Sequence, residues 1–449
     1  MRGAWNGLML DEIWSLNLVS AISSPLEIFT KLHNSNNHYL NSLWLYVMGV
    51  RGNWPGYRIL SILAGIGAVL VAGLIGRRRN QINAYFAMLL IGFSYVNILY
   101  SCEARGYSTL IFFSLLFYYW LEVFLERNDW RIAILISCSS ILAFCSQLIF
   151  INAFVAAILW SGWRLVKSKR PIRKVVTSMV LCHGPPILFL WILYVVDLRH
   201  MDAIEATETT LWRCYTTAIA WILPPLSPGW WTYFMCLLAT AGILAGISVL
   251  WRRNRDALLF FVTVILVAPV LLVILSHSTF LYVRHFLLSI TFALMLISFA
   301  LTSLYFCGWK GRIASACLLG VYLAVNAWPV ANLFSNGQGN YGDAIRFLKE
   351  HSRAEVITIG GDQDFRVGTV LDFYGRELFK DRPAAYYLQG NWPPGGPEWV
   401  IIQKEAYEEP SSPTKELGLR EGHRWEFVKT VQAAPLSSQH WFIYHNVEK

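Results

Sequence analysis

Charge is scarce in this chain. Only 14% of its 449 residues are Asp, Glu, Lys or Arg, against about 25% in soluble globular domains. With 55% hydrophobic residues and a mean hydropathy of +0.44, the shortfall excludes an ordinary soluble protein and places the chain in a bilayer. The eight cysteines are scattered, mostly within apolar runs, and none has CxxC spacing. Cysteines of this kind act as small hydrophobes; only Cys102 and Cys214 fall near loops on a common side, where one disulfide stays open. No Asn-x-Ser/Thr sequon occurs, which points to a bacterial rather than a secretory-pathway protein. Residues 1–30 hold no apolar core behind a basic start, so no cleavable leader is expected. No Ser-His-Asp order, HExxH or Walker sequence appears, and the common soluble chemistries lose their support.

What charge there is has a pattern. Thirty-seven Lys and Arg against 28 Asp and Glu leave a net +9, which on a soluble chain would invite nucleic acid. Much of the excess sits in short loops between apolar runs: Arg77-Arg78-Arg79, residues 164–174, Arg252-Arg253-Asn254-Arg255, and Lys310 with Arg312. Basic short loops mark the cytoplasmic side of a membrane protein. The basicity therefore reads as topology, and the expected partner is the lipid bilayer, with no nucleic acid.

A spanning helix needs about 20 largely apolar residues. Ten stretches qualify, near 57–76, 83–100, 107–125, 131–147, 148–166, 174–197, 230–251, 257–276, 285–304 and 313–331. With Arg77–Arg79 inside, every strongly basic loop falls on that side. The extracytoplasmic side then receives residues 1–56, the loop 198–229 with Glu205, Glu208 and Arg213, and the C-terminus. Residues 12–32 and 39–50 predict short amphipathic helices at the interface. Ten spans leave both termini outside, so a further spanning helix upstream of residue 1 is expected. After about residue 335 the composition turns soluble. Residues 343–351 and 365–374 read as helices, and 355–359, 399–402 and 441–444 as strands, which predicts a small α/β domain. Gly360-Gly361-Asp362 follows the first strand, and with no GxGxxG or P-loop after it a plain turn is expected. The expected fold class is mainly α: a polytopic transmembrane helix bundle over 1–334, with catalytic outer loops 1–56 and 198–229, and an extracytoplasmic α/β domain over 335–449.

Several ionisable residues gather on the extracytoplasmic side. Asp11 and Glu12 form an acidic pair between Trp5 and Trp14; a carboxylate there is either a base on an acceptor or a metal ligand, or simply solvated. His33 and His38 lie in an Asn-rich tract, suited to proton donation, metal ligation or an ordinary turn. Glu103 and Arg105, in Cys102-Glu103-Ala104-Arg105-Gly106-Tyr107, stand where one span ends and the next begins; such residues either pair with each other or serve function. Arg58, Arg284 and His285 open further spans, where arginine either grips a phosphate or anchors the helix among headgroups. Their convergence on one face is the stronger signal.

The order and spacing of these residues resemble the GT-C glycosyltransferase superfamily, in particular the branch of protein O-mannosyltransferases and the lipid A aminoarabinose transferase. The residues that carry the likeness are Met9-Leu10-Asp11-Glu12, Asn37-His38-Tyr39-Leu40-Asn41, Arg58-Ile59-Leu60-Ser61, Tyr100-Ser101-Cys102-Glu103-Ala104-Arg105-Gly106-Tyr107 and Arg284-His285. They cover the first 110 residues well, 282–290 moderately and the C-terminal domain hardly at all. The chain departs from the pattern in lacking the family's first spanning helix and in placing Tyr39 and Leu40 where prolines usually follow the histidine. The resemblance implies a GT-C-like bundle and an inverting transferase of the bacterial inner membrane. Its donor would be a polyprenyl-phosphate-linked sugar and its acceptor an extracytoplasmic lipid, glycan or protein. Asp11 would activate the acceptor, with Glu12 and His38 shaping the site or a divalent-metal position; Arg58, Arg105 and Arg284 would hold the lipid phosphate, beside Glu103, Tyr107 and His285. Metal dependence stays open. The alternative is a transporter or flippase without covalent chemistry, which internal repeats or broken helices near the midplane would mark; a catalytically inactive scaffold of envelope assembly is a third.

Overall fold

The computed structural model describes residues 5–49, 52, 54–201, 210–225, 229–276, 281–405, 413–420 and 423–447. Glu205 and Glu208, with the rest of 202–209 and 226–228 in the loop 198–229, lie outside the described residues, as do 1–4, 50, 51 and 53 of the stretch 1–56. The helices are α1 (Leu10–Ser20), α2 (Glu27–Thr30), α3 (Tyr39–Met48), α4 (Trp54–Arg77), α5 (Gln81–Phe93), α6 (Tyr95–Ser101), α7 (Tyr107–Arg127), α8 (Trp130–Ser146), α9 (Ile151–Lys167), α10 (Ile172–Val196), α11 (Leu211–Ala220), α12 (Trp230–Arg253), α13 (Arg255–Val262), α14 (Ala268–Ser276), α15 (Leu287–Tyr305), α16 (Trp309–Asn336), α17 (Tyr341–His351) and α18 (Asp364–Leu378). Among the described residues eight helical segments are long and apolar enough to cross a membrane, and nine if the bent pair α5–α6 counts as one. The chain is a multi-pass membrane protein. The expected ten spans become nine because α8 has only 17 residues, the lower limit for crossing the hydrocarbon, and eight if the bent pair α5–α6 is not counted. The chain divides into two compact units, one of Val19–Arg51 and Gly56–Trp328, the other of Met1–Leu18, Gly52–Pro55 and Pro329–Lys449.

In the helical unit, α7 and α15 are the inner helices: 72% and 78% of their apolar windows are buried, against 22% for α10 and 28% for α12. An aromatic cluster holds them. The Tyr118 ring lies 4.8 Å from Phe260, 5.5 Å from Trp160 and 5.9 Å from Phe292. Local sequence sets the helix ends, with Asn80 Oδ1 accepting the Asn83 N–H and Asp129 Oδ1 the Arg131 N–H, side chains of the N-cap type. At the far ends of α4 and α7, Arg78 meets Glu122 at 2.8 Å and Glu126 at 2.6 Å, while Arg79 meets Glu122 at 2.5 Å. Part of the basic loop that reads as a topology signal is thus an ion-pair staple around a buried carboxylate.

The other unit holds β1 (Ile357–Gly361), β2 (Ala384–Tyr386), β3 (Trp399–Glu405), β4 (Glu416–Arg420), β5 (His423–Val431) and β6 (Gln439–Asn446). They form one sheet in the order β2-β1-β3-β6-β5-β4. The strands β2, β1 and β3 are parallel and the rest antiparallel. One face packs a core of Trp392, Val400, Trp425, Phe442 and Tyr444. The other lies under α17, where Tyr341 packs on Trp441 at 4.5 Å and Trp399 Nε1 donates to Ser352 Oγ at 2.7 Å. Gly360 and Gly361 are strand residues, with no room for a side chain: a Cβ on Gly360 would sit 2.8 Å from Trp392 Nε1, and one on Gly361 2.9 Å from Val367. The run 337–342 has GxGxxG spacing, yet it follows the helix α16, where the dinucleotide fingerprint requires a strand.

Candidate active site

The bent pair α5–α6 builds the site in the helical unit. The span breaks at Ser94, whose extended backbone turns α6 by 60° from α5. A break at membrane depth leaves helix ends unsatisfied, and polar side chains cover them. Asn326 Oδ1 accepts the Tyr95 N–H at 2.8 Å, Asn97 Nδ2 donates to Ile91 O at 3.1 Å, and the Tyr322 hydroxyl donates to Leu90 O at 2.6 Å. The redirected α6 delivers residues 102–106, which lead into α7.

That run is buried. Glu103 is 1% exposed and Arg105 4%. Arg105 Nη2 donates to Asn36 Oδ1 at 2.9 Å, lies 3.3 Å from His38 Nε2, and its guanidinium sits 4.9 Å over the Tyr107 ring. The His38 ring lies 5.3 Å edge-on to Tyr107 and its Nδ1 is 3.3 Å from Ser146 O. Since Arg105 has only donors, the His38 Nε2 facing it is an acceptor, which leaves the proton on Nδ1, aimed at the Ser146 carbonyl. Gly106 makes the crowding feasible: a Cβ there would lie 2.0 Å from Ser146 O and 3.1 Å from His38 Cβ. Asn41 Nδ2 donates to Ala104 O at 2.6 Å and Ser61 Oγ to Arg105 O at 3.1 Å, so α3 and α4 both fix the run.

The remaining predicted residues divide between the units. Arg284 lies over the Tyr282 ring at 4.1 Å, and Tyr282 N–H points to His285 Nδ1 at 3.4 Å. The charges of Arg105 and Arg284 are both felt at His285 and at Tyr100, so His38, Glu103, Arg105, Tyr107, Arg284 and His285 form one neighbourhood. Arg58 is fully buried in α4, one turn before Ser61. Asp11 and Glu12 belong to the other unit. Glu12 is buried and its Oε2 accepts the Met9 N–H at 3.0 Å, the reach of an N3 glutamate in a capping box; half-buried Asp11 stands beside it on α1. His33, with no close tie to His38, holds Asp197 Oδ1 at 2.5 Å, while the Tyr39 hydroxyl donates to Asp197 Oδ2. Burial, and then that bond, push the Tyr39 pKa up. Asp197, Asn36 and Ser146 escaped the sequence reading, since each partner is distant in the chain. Cys102 and Cys214, the pair left open for a disulfide, are both free thiols. Among the described residues no three His, Cys, Asp or Glu side chains are placed to hold a metal ion.

These features define a class, a polytopic membrane helix bundle carrying a mixed C-terminal sheet. One solved structure it is similar to is the crystal structure of ArnT from Cupriavidus metallidurans in the apo state, with a TM-score of 0.51, 12% identity, and coverage of 98% of this chain and 93% of that one. The likeness is one of fold. No protein-family model and no curated protein sequence matches the chain.

Proposed function

We propose that the protein is an inverting glycosyltransferase that moves a sugar from a polyprenyl-phosphate carrier to an extracytoplasmic lipid, glycan or protein. The observation that carries this reading is the burial of Arg58, Arg105, Glu103 and His38 in a chain with the ArnT fold along nearly its whole length. Buried charge in a membrane bundle is expensive and serves pairing or function.

In the proposed step the acceptor oxygen bonds to the anomeric carbon while the bond from that carbon to the carrier phosphate breaks. The acceptor proton passes to Asp11 and the negative charge stays on the leaving phosphate. Arginines fixed in a low-dielectric site stabilise that charge without reorganising; Arg105, Arg58 and Arg284 take this role, and His38 holds Arg105 in place. Glu12 anchors the first turn of α1 and so positions Asp11. The orientation follows the basic loops, with the site and the α/β domain of 335–449 outside the cell. Activated nucleotide sugars are absent there, so a lipid must deliver the donor.

The test is transfer from labelled polyprenyl-phosphate sugars in membranes holding equal amounts of wild-type and Asp11→Asn protein. Transfer by wild type that disappears in Asp11→Asn is the expected result. Transfer unchanged in the variant removes Asp11 from its role, and no transfer from any donor removes the class. A second reading, transport without covalent chemistry, draws on the break at Ser94, because transporters build sites at discontinuous helices. It predicts carrier movement across vesicles with no sugar transferred.

A further inference from the structure

In open α/β sheets, ligands sit beyond the carboxyl ends of parallel strands, where the connections diverge to either side. Here β1 leads through α18 to β2 on one flank, and β2 then returns to β3 on the other, so the divergence falls between β1 and β3. Two helices, α17 of 11 residues and α18 of 15, begin at that carboxyl edge. Tyr341, first in α17, donates to Gln439 O at 3.0 Å, and Gln439 pairs with Glu405, the last residue of β3.

Two side chains at this edge are left with unmet chemistry. Gln403 pairs with Trp441 and Gln439 with Glu405, so both glutamines share the sheet face beneath Tyr341. They are 9% and 7% exposed, and the amide oxygen of each has no hydrogen-bond partner among the described residues. A buried orphan amide costs stability that an apolar residue of equal size would not. Beside them Asp362 accepts the Gln403 N–H at 3.0 Å, with burial raising its pKa. A cavity of ≈ 290 Å³ is lined by Asn340 and Asp343, at the start of α17, with Lys429 and Gln432 of the β5 end among others. The two glutamine amides and the Asp362 carboxylate, beside the Tyr341 and Trp441 rings, match the donors and acceptors of sugar hydroxyls.

The helix carrying Asp11 packs here too. Trp14, one turn beyond Asp11, lies 5.3 Å edge-on to Phe365 in the first turn of α18, and Leu8 O accepts from the Tyr374 hydroxyl at 2.9 Å. Asp11 and Arg366 are both felt electrostatically at Tyr341. All of this lies within one compact unit.

We infer that the carboxyl edge of this sheet, around Gln403, Gln439, Asp362 and Arg366, is an acceptor subsite that takes the hydroxyls of a saccharide and presents one of them to Asp11. The inference rests on the transferase reading for its consequence but not for its binding chemistry. Two measurements on the full chain in membranes test it. First, a photo-reactive benzoylphenylalanine at Gln363, the exposed residue before α18, is activated in cells and the adducts are analysed for sugar, with Glu377 at the far end of α18 as the control position. A saccharide-bearing adduct at 363 and none at 377 is expected; no sugar at 363 overturns the subsite. Second, Gln403→Met and Gln439→Met leave the packing volume intact. The subsite predicts an acceptor KM raised about tenfold or more with donor KM unchanged, since a lost hydrogen bond to a sugar hydroxyl is worth about tenfold. Purely structural glutamines predict a higher melting temperature and unchanged acceptor KM, which overturns the inference. A sugar adduct at 363 in a protein that transfers nothing would keep the subsite and refute the transferase.

Discussion

Gly106→Ala is the sharpest probe of the buried site. Gly106 has φ −74°, a backbone any residue adopts, so conformational freedom is not what the position requires. Space is. The added methyl would lie 2.0 Å from Ser146 O, about 1.4 Å short of ordinary contact, and its obstacle is backbone rather than a side chain that can swing aside. The end of α8 and the 102–106 run must separate, and the separation falls on His38, whose Nδ1 faces the same Ser146 carbonyl. Overpacking costs about 1–3 kcal/mol, and a backbone obstacle puts this case at the upper end. A shift of about 1 Å in positioning groups lowers rate by about a hundredfold. The assay pairs thermal denaturation of purified protein with the transfer rate at equal protein. Gly320→Ala, with nothing within 4 Å of its new Cβ, is the control and should sit within roughly 1 kcal/mol of wild type, on the stable side. A Gly106→Ala protein as stable and as active as that control would refute the close approach and the geometry built on it.

Two further outcomes follow from charges away from that site. Glu122→Gln strips the staple of its shared carboxylate. Its cost should be about 2–4 kcal/mol, below that of a fully buried pair because Arg78 and Arg79 keep 19% and 23% exposure, whereas Glu126→Gln, on the half-exposed partner, should cost under about 1 kcal/mol; equal melting temperatures for the two variants would count against the staple. His440 is held below its ordinary value by burial, and its Nδ1 accepts the Ala433 N–H as a neutral ring. As pH falls through about 6.5 the unfolded chain protonates this histidine while the folded one resists, so its stabilising contribution is present above that pH and lost below it. Denaturation at pH 7.5 and pH 5 should show a drop that His440→Gln reduces; an undiminished drop assigns the effect elsewhere.

The bundle was legible because a spanning helix must be apolar along its whole length, a signal local to each segment. The same holds for β1, β3 and β6, whose buried runs stand out against a polar surround. Strand β2 has three residues and β5 carries an irregularity between Phe427 and Lys429, so neither shows a clean alternation. The buried cluster around Arg105 was legible only where it is consecutive in sequence, as in 102–107. Asp197 was hidden because Tyr39 and His33 lie 158 and 164 residues away, and an acid closing an apolar run looks no different from a solvated one. Arg78 and Arg79 look like topology markers because their carboxylate, Glu122, is more than forty residues downstream. Glu12 shows another limit: its bond to the Met9 N–H is only three residues away, yet Met9 is no N-cap residue type, so the acidic pair draws attention to chemistry first.

The bond from Tyr95 to Asn326 also sets a timetable. Its partners are 231 residues apart, and the Tyr322 bond to Leu90 spans 232. At roughly 5–20 residues per second of synthesis, α16 arrives on the order of ten to fifty seconds after the broken span has left the ribosome. Until then the opened ends of α5 and α6 have no Asn326 or Tyr322 to receive them in a solvent that offers no substitute. The aim of α6, and with it the placement of Arg105, is therefore settled only once α16 is in place. A ribosome that stops before α16 releases a chain with its membrane segments largely inserted and its site still unset.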